Sequence, residues 1–365
     1  MPASTAGASP ACNNTLNLDA LNFTADELRS LNEMVVTAVL ESPVLTLFHT
    51  FHTNIKNDKR IGIIPGTFGL VGKARQNCNP TAQCYEDTAI QKTWEPKYLE
   101  IIVDMCVDEL EDSLMKLSLN CGSDLFDLTN TDVFEFILNI LVKDIEKMIF
   151  RNAWFGDQNA ANVSDGGVIT DGFDVSFWNV LNGFFQQLAV IYAADATKLT
   201  ALPGNDQITY ALQDTVATPG LMYTAVNAVI DAAVAELEVQ TDRILLATRS
   251  VNQRLMRALQ ALGVVYDITY MEDGLMVTKW DGITMYTIPL WDQWIRAYEN
   301  NGTYYNNPHR VVYTTKSNLN IGMVCTSLFD KINTSYDQRS RYNRIEATDA
   351  FDMKIIDDRL VQVGT

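Results

Sequence analysis

The chain has little of what chemistry usually needs. It holds three histidines, His49, His52 and His309, among 365 residues. Catalysis built on imidazole is thereby poorly supplied, and no Gly-x-Ser-x-Gly elbow presents a serine nucleophile. Positive charge is also scarce: Lys and Arg number 27 against 45 Asp and Glu, a formal net charge of −18. That balance lacks the basic surface needed to grip DNA or RNA irrespective of sequence, but it does not bar the chain from enclosing nucleic acid. No apolar run reaches the ~18 residues of a membrane span. The segment Met1 to Pro10 has neither a positive n-region nor an apolar h-region. No secretory signal is therefore expected, and the sequons Asn22-Phe23-Thr24 and Asn301-Gly302-Thr303 read as chance. The six cysteines, Cys12, Cys78, Cys84, Cys106, Cys121 and Cys325, lack the close pairs, about two to four residues apart, of a structural zinc site. Cys78 and Cys84 share a polar loop and would be a local disulfide or, in a reducing compartment, free thiols.

What is present is core and turns. At 47% hydrophobic and 20% charged residues, the chain can bury a sizeable core, and its length points to two or three lobes. Its C-terminal part reads as short strands. Tyr266–Tyr270 leads through Glu272-Asp273-Gly274 to Leu275–Trp280, then through Asp281-Gly282 to Ile283–Ile288. Asp-Gly between apolar alternations is the strongest short hairpin signal, because a type I′ turn needs positive φ at both central residues. Val264–Ile288 is expected to build a central sheet, His309–Thr314 to return beside the long helix described next, and Phe351–Val363 to close the chain.

Helices are placed by spacing and caps. Thr24 and Glu27 form a capping box before an amphipathic run, Ala25 to Leu40. From Pro43 to Pro96 the chain reads as extended and irregular, with strand-like pieces at Ile61–Ile64 and Thr67–Val71; so long a loop is usually functional or packed on another chain. Leu99–Leu117 reads as strand, then helix. The clearest helix is Val133–Trp154, capped by Asp132 with Glu135 three residues on and ended by Gly156. It would be a rod of roughly 30 Å. Lys143, Lys147 and Arg151 lie toward its C-terminal end, where the helix dipole favours cations. A Gly/Asp-rich crossing follows at 165–172. Further helices are expected over Ser176–Tyr192, Leu221–Val239 and Val251–Leu262, the last with a Ser250/Gln253 capping box and a stop at Gly263, and a strand over Ile244–Thr248.

Several motifs resemble sites and fall short of them. Gly66 to Ala74 has the look of a phosphate loop, but its spacing is off by a residue and Ala74 stands where Ser or Thr must ligate Mg²⁺. His49 and His52 would share a helix face, yet a metal needs three or four ligands. Asp165, Asp171 and Asp174 do not fit the EF-hand pattern and read as turn residues. Trp178, Phe184, Phe185, Trp291 and Trp294 would stack on a ligand or, more in keeping with their spacing, pack a core or interface. No catalytic, cofactor-binding or metal-ligating residue is singled out, and no cofactor is expected.

The order of elements, an arm with a helix, a long extended loop, a spine helix, an α/β lobe and returning strands, resembles the major capsid protein of tailed bacteriophages, the Hong Kong 97-like fold. The phrases that carry it are Trp94-Glu95-Pro96-Lys97, Arg151-Asn152-Ala153-Trp154-Phe155-Gly156-Asp157, Gly282-Ile283 followed by Ile288-Pro289 and Trp291, and Asn307-Pro308-His309-Arg310-Val311-Val312-Tyr313 followed by Lys316-Ser317-Asn318-Leu319-Asn320-Ile321-Gly322. They look most like capsid proteins of Bacteroidetes-infecting phages.

The resemblance implies a non-enzymatic α+β protein in five segments. These are an N-terminal arm (1–45), an extended loop (46–95), a peripheral domain with the spine helix (96–160), an axial domain with a central sheet (161–305), and C-terminal strands returning to both domains (306–365). It further implies self-assembly into hexamers and pentamers of an icosahedral or prolate head, formed in the host cytoplasm and enclosing double-stranded DNA without sequence-specific binding. Portal, scaffolding and decoration or head-fibre proteins would be the partners, with no membrane. The charged helical scaffolding segment of the prototype is missing, so a separate scaffold is implied. Its covalent cross-link cannot be carried over: Lys73 and Lys92 lie in the loop, but no partner Asn matches. An encapsulin-like compartment shell and a soluble acidic hydrolase using paired carboxylates are the alternatives.

Overall fold

The computed structural model describes residues 43–63, 90–106, 132–214, 219–263, 268–270, 275–324, 331–337 and 342–365. In chain order these form α1 (Pro43–Phe48), β1 (Thr50–His52), β2 (Arg60–Ile63), β3 (Ile90–Thr93), β4 (Lys97–Cys106), α2 (Asp132–Phe155), α3 (Phe184–Ala194), β5 (Leu199–Thr200), α4 (Tyr210–Asp214) and α5 (Pro219–Asp231). Then come α6 (Ala235–Glu238), β6 (Arg243–Thr248), α7 (Arg249–Ala261), β7 (Ile268–Tyr270), β8 (Met276–Trp280), β9 (Ile283–Ile288), α8 (Pro289–Tyr298), β10 (Val311–Thr315), β11 (Leu319–Met323), β12 (Lys331–Asp337), β13 (Tyr342–Ile355) and β14 (Val361–Gly364). The described residues divide into two compact units. One draws on 98–147 and 325–350, the other on 41–97, 148–324 and 351–365.

In the first unit, β12 pairs antiparallel with the start of β13, Lys331 opposite Thr348 through Asp337 opposite Tyr342. The second unit is built on a seven-stranded sheet in the order β5-β14-β10-β6-β9-β8-β7. The Asp-Gly hairpin is its clearest local decision. Asp281 has φ 47° and Gly282 φ 75°, and Trp280 pairs with Ile283 across the turn. Both residues take the left-handed region that a type I′ turn demands, with no Cβ penalty at Gly282. From β9 the sheet continues to β6 in parallel, a pairing that requires a crossover.

That crossover begins with α7. Val251, Leu255, Ala258 and Leu259 are buried, whereas Gln253, Arg257 and Gln260 are exposed. The apolar stripe packs with Met222, Val226 and Val229 of α5 against Leu245, Ala247, Met285, Val311 and Tyr313 of the sheet. Each fully buried aliphatic side chain contributes about 1.5–3 kcal/mol, so this layer dominates the stability of the unit. All five residues of β10 are buried, as a central strand covered on both faces requires.

Several sequence expectations are corrected here. The aromatic helix starts at Phe184, not Ser176; a short 3₁₀ turn, Val175–Phe177, precedes it and is capped by Asp174, which accepts from the Ser176 N–H. The break is steric. A Cβ at Gly183 would lie 2.7 Å from the carbonyl oxygens of Asn152 and Ala153, so glycine alone lets the chain cross the end of α2. The helix from Pro219 ends at Asp231, and residues through Val239 form only the separate short turn α6. The Ser250/Gln253 box does not form: Asp292 of α8 caps α7 instead, accepting from the N–H groups of Arg249 (2.5 Å) and Ser250 (3.0 Å). Within the sheet, β10 (Val311–Thr315) lies between β14 and β6.

Other expectations hold. The long helix spans Asp132–Phe155 and stops at Gly156, α7 stops before Gly263, and strands occupy Arg60–Ile63, Arg243–Thr248 and the start of the 99–117 segment. The arm helix, Thr67–Val71, the Gly66–Ala74 loop, the Glu272-Asp273-Gly274 turn, the later part of 99–117, and Cys12, Cys78, Cys84, Cys121 and Cys325 lie outside the described residues.

Candidate functional site at the end of the long helix

The last turn of α2 carries Arg151, Asn152, Ala153, Trp154 and Phe155, and Gly156 lets the segment around Leu181 that leads into α3 close on it. Trp154 sits 4.5 Å from Trp291, 5.0 Å from Phe184 and 5.2 Å from Phe185, ring centre to ring centre. Trp294 meets Phe155 at 5.7 Å and Phe150 at 5.8 Å. Four of the five aromatics singled out in the sequence therefore gather into one cluster; Trp178 stands apart, against Tyr298. The tilted and edge-on arrangements are those aromatic quadrupoles prefer.

His49 is the polar wedge in this cluster. It is 1% exposed and stacks on Phe184 at 5.3 Å with an interplanar angle of 8°. Its Nδ1 lies 2.9 Å from the Leu45 carbonyl, so Nδ1 carries the proton and donates. Burial pulls its pKa down to about 4. His52 is on β1, not on a shared helix face, and its Nε2 lies 2.6 Å from Asn320 Oδ1.

His309 lies in a second buried group. Its Nε2 donates to the Gln213 carbonyl (3.1 Å) and its Nδ1 accepts from Ser250 Oγ (2.8 Å). The Arg254 guanidinium rests against the ring and donates to the same Gln213 carbonyl. Burial, then the Arg254 charge, lowers the His309 pKa to about 4; burial also lowers Arg254 to about 10. A serine hydroxyl beside a neutral imidazole has the outline of a nucleophile–base pair. Here the imidazole is fully buried and its far nitrogen faces a carbonyl and a cation, where a catalytic dyad would need an orienting carboxylate. The arrangement is a structural lock. Asp171 and Asp174 serve turns, accepting from the N–H groups of Ser164 and Ser176, and among the described residues no group of three His, Cys, Asp or Glu is placed to hold a metal.

Two cations complete the region. Arg310, 5% exposed, pairs with Glu299, 6% exposed. Its guanidinium lies 4.5 Å from the Phe185 ring centre and 5.3 Å from that of Phe155, and it donates to the carbonyls of Asn307 and Asn306. This pair borders a cavity of about 190 Å³ also lined by Trp154, Phe155, Phe185 and Val363. Of the two carboxylates on its wall, Asp157 and Glu299, Glu299 is committed to Arg310. Arg151 lies 5.6 Å from the Phe177 ring and 5.5 Å from that of Trp178. In the sequence Arg310 stands out only within a motif phrase and Arg151 also as a cation near the end of the long helix, while Glu299, Arg254 and Asp292 carry no signal of their own. The one signal near them is the run of Asn and Tyr from 300 to 307, which marks a turn bringing Glu299 back to Arg310.

No protein-family model and no curated protein matches the chain. Among solved structures, a chain of the satellite phage P4 procapsid that includes the size determination protein superposes with a TM-score of 0.51 at 11% identity, covering 91% of this chain and 98% of that one. This chain has the Hong Kong 97-like capsid fold. An encapsulin of Synechococcus elongatus (TM-score 0.45, 10% identity, 89% of this chain and 87% of that one) and a virus-like particle of Pyrococcus furiosus (0.42, 12%, 92% and 98%) are weaker likenesses. At 11% identity the shared capsid fold is one of backbone path.

Proposed function

We propose that the chain is a non-enzymatic shell subunit, the major capsid protein of a tailed phage. It would assemble as hexamers and pentamers into an icosahedral or prolate head around double-stranded DNA in the host cytoplasm. The observation that carries this reading is the match of fold over 91% of this chain and 98% of a procapsid chain. The site chemistry agrees: His49 and His309 are buried and neutral, and Asp171, Asp174, Asp292 and Glu299 serve turns, a helix cap and an ion pair. An acidic wall also suits a container that releases its DNA, since it offers few phosphate contacts. A scaffolding protein, a portal and decoration or head-fibre proteins would be its partners, and a Bacteroidetes-infecting phage its source.

In this reading residues 1–45 are the arm, 46–95 the extended loop, 96–160 the peripheral domain, 161–305 the axial domain and 306–365 the returning strands. The base of the loop supports its part. β2 and β3 pair from Arg60 opposite Thr93 to Ile63 opposite Ile90. Lys92 binds Asp358 at 2.5 Å, Glu95 N donates to Asp352 at 2.7 Å, and Trp94 is buried. A segment held so firmly at its root is aimed, which a subunit-to-subunit strap requires.

Electron microscopy of the expressed chain, with and without a candidate scaffold, tests the function. Capsomers or closed shells are expected; a compact monomer at high concentration would overturn it, and shells loaded with protein cargo in place of DNA would favour the encapsulin-like alternative. Replacing residues 64–89 by a two-residue turn between Ile63 and Ile90 should leave a folded subunit that forms no stable shells. Normal shells from that variant would remove the strap from the proposal.

A further inference from the structure

Phe173, Tyr298, Trp178 and Phe177 form a continuous strip of rings. The spacings are 4.9 Å from Phe173 to Tyr298, 5.0 Å from Tyr298 to Trp178 and 6.2 Å from Trp178 to Phe177. The strip surfaces at its two ends, where Phe173 is 42% and Phe177 55% exposed. Arg151 lies over the Phe177 end. It has no carboxylate within ion-pair distance among the described residues, and its Nε is buried without a hydrogen-bond acceptor. Burial lowers its pKa, so the cation is kept at a cost that a carboxylate would offset. Exposed aromatics around a part-desolvated arginine have the make-up of an interface hot spot.

We propose that this strip is a docking surface for a second copy of the chain, which supplies a carboxylate to Arg151 and an apolar side chain to Phe177 and Phe173. The inference rests on the shell-subunit reading. Charge complementarity favours this occupant, because a chain with 45 acidic against 27 basic residues carries carboxylates in excess to meet an arginine without one.

The test is the assembly of Arg151→Gln and Phe177→Ser beside the wild type, by sedimentation velocity and electron microscopy, with circular dichroism as the check on folding. Association of both variants should weaken on the order of tenfold or more, with wild-type secondary structure. If Arg151→Gln fails to fold, Phe177→Ser carries the test, because its ring is more than half in solvent. Equal assembly of wild type and variants would overturn the docking surface while leaving the shell reading intact. A wild type that stays monomeric, alone and with scaffold, would overturn both. Normal assembly of Arg151→Gln with lost affinity for single-stranded DNA would assign the strip to nucleic acid and overturn the proposal.

Discussion

Arg310 and Arg151 use the same device to different ends. Each guanidinium lies over two aromatic rings, Phe155 and Phe185 for the first, Phe177 and Trp178 for the second. Around Arg310 the fold supplies the partners: Glu299 takes the charge, the Asn307 and Asn306 carbonyls accept from Nε and Nη2, and the side chain is buried. Around Arg151 the rings are present, but no carboxylate among the described residues answers. A buried cation with its partner is part of the scaffold, whereas Arg151, without one among the described residues, would be met by a second copy as proposed. The contrast separates what holds the subunit together from what could hold subunits to each other.

The largest effect should come from breaking the completed pair. Glu299→Ala leaves Arg310 buried and uncompensated, and its unfolding free energy in urea should drop by about 3–5 kcal/mol. Replacing both partners, Glu299→Leu with Arg310→Met, should recover most of that loss, because the cost lies in the orphaned charge and not in the missing bond. A single variant that loses less than about 1 kcal/mol would mean that the pair behaves like a surface ion pair and that the two arginines are not opposites.

Acid should act on the same region through the histidines. His49 and His309 have folded pKa values of about 4 against 6.5 for the free side chain. Between those values the unfolded chain takes up protons that the folded chain refuses. Stability is therefore full above pH 6.5 and falls as the pH is lowered through the window, by up to about 3 kcal/mol per histidine. Urea midpoints measured from pH 7 to pH 4 read this directly. His49→Phe, which keeps the stack on Phe184 and removes the titrating group, should flatten roughly half of the slope contributed by the two histidines. An unchanged slope would show that His49 is not held neutral by its burial.

How much of this was legible in the sequence depends on the range of each interaction. The Asp281-Gly282 turn, the stop at Gly156 and the stripe Val251, Leu255, Leu259 are decided within a few residues, and the sequence states them openly. The aromatic cluster was legible as packing, since Trp and Phe so dense have few other uses, though Trp178 belonged elsewhere. Several of the failures are long-range. Ser250 and Gln253 have the form of a capping box, but a carboxylate from Asp292, 42 residues away, reaches the Ser250 N–H. The helix expected from Ser176 has suitable apolar spacing, but Gly183 must pass within van der Waals distance of the carbonyls ending α2. Glu299 and Arg310 are eleven residues apart, too far for a helix rule and too near to be read as tertiary. Polar partners are chosen by the finished fold, and no local pattern announces them.

Asp292 offers a smaller and sharper version of the comparison. Its carboxylate is raised in pKa by burial, while the two N–H bonds it accepts pull it back. Asp292→Ala removes the only side-chain acceptor at the start of α7 among the described residues and should cost about 1–2 kcal/mol, as lost helix caps do. Asp292→Asn, which keeps an acceptor oxygen, should restore most of it. If the two variants lose equally, the charge and not the cap is what the site requires.

The smallest effect on the fold should come from the open arginine, and that is what makes it informative. Phe177→Ser should move the stability of the isolated subunit by no more than about 0.5 kcal/mol, and Arg151→Gln by about 1 kcal/mol or less, both measured by urea unfolding under conditions that keep the subunit dissociated. Glu299→Ala at one end of the region and Phe177→Ser at the other would then form a crossed pair, one losing the fold and the other losing only association. Should Arg151→Gln destabilise the lone subunit as severely as Glu299→Ala does, Arg151 is already satisfied within its own chain, and the distinction between the two arginines disappears.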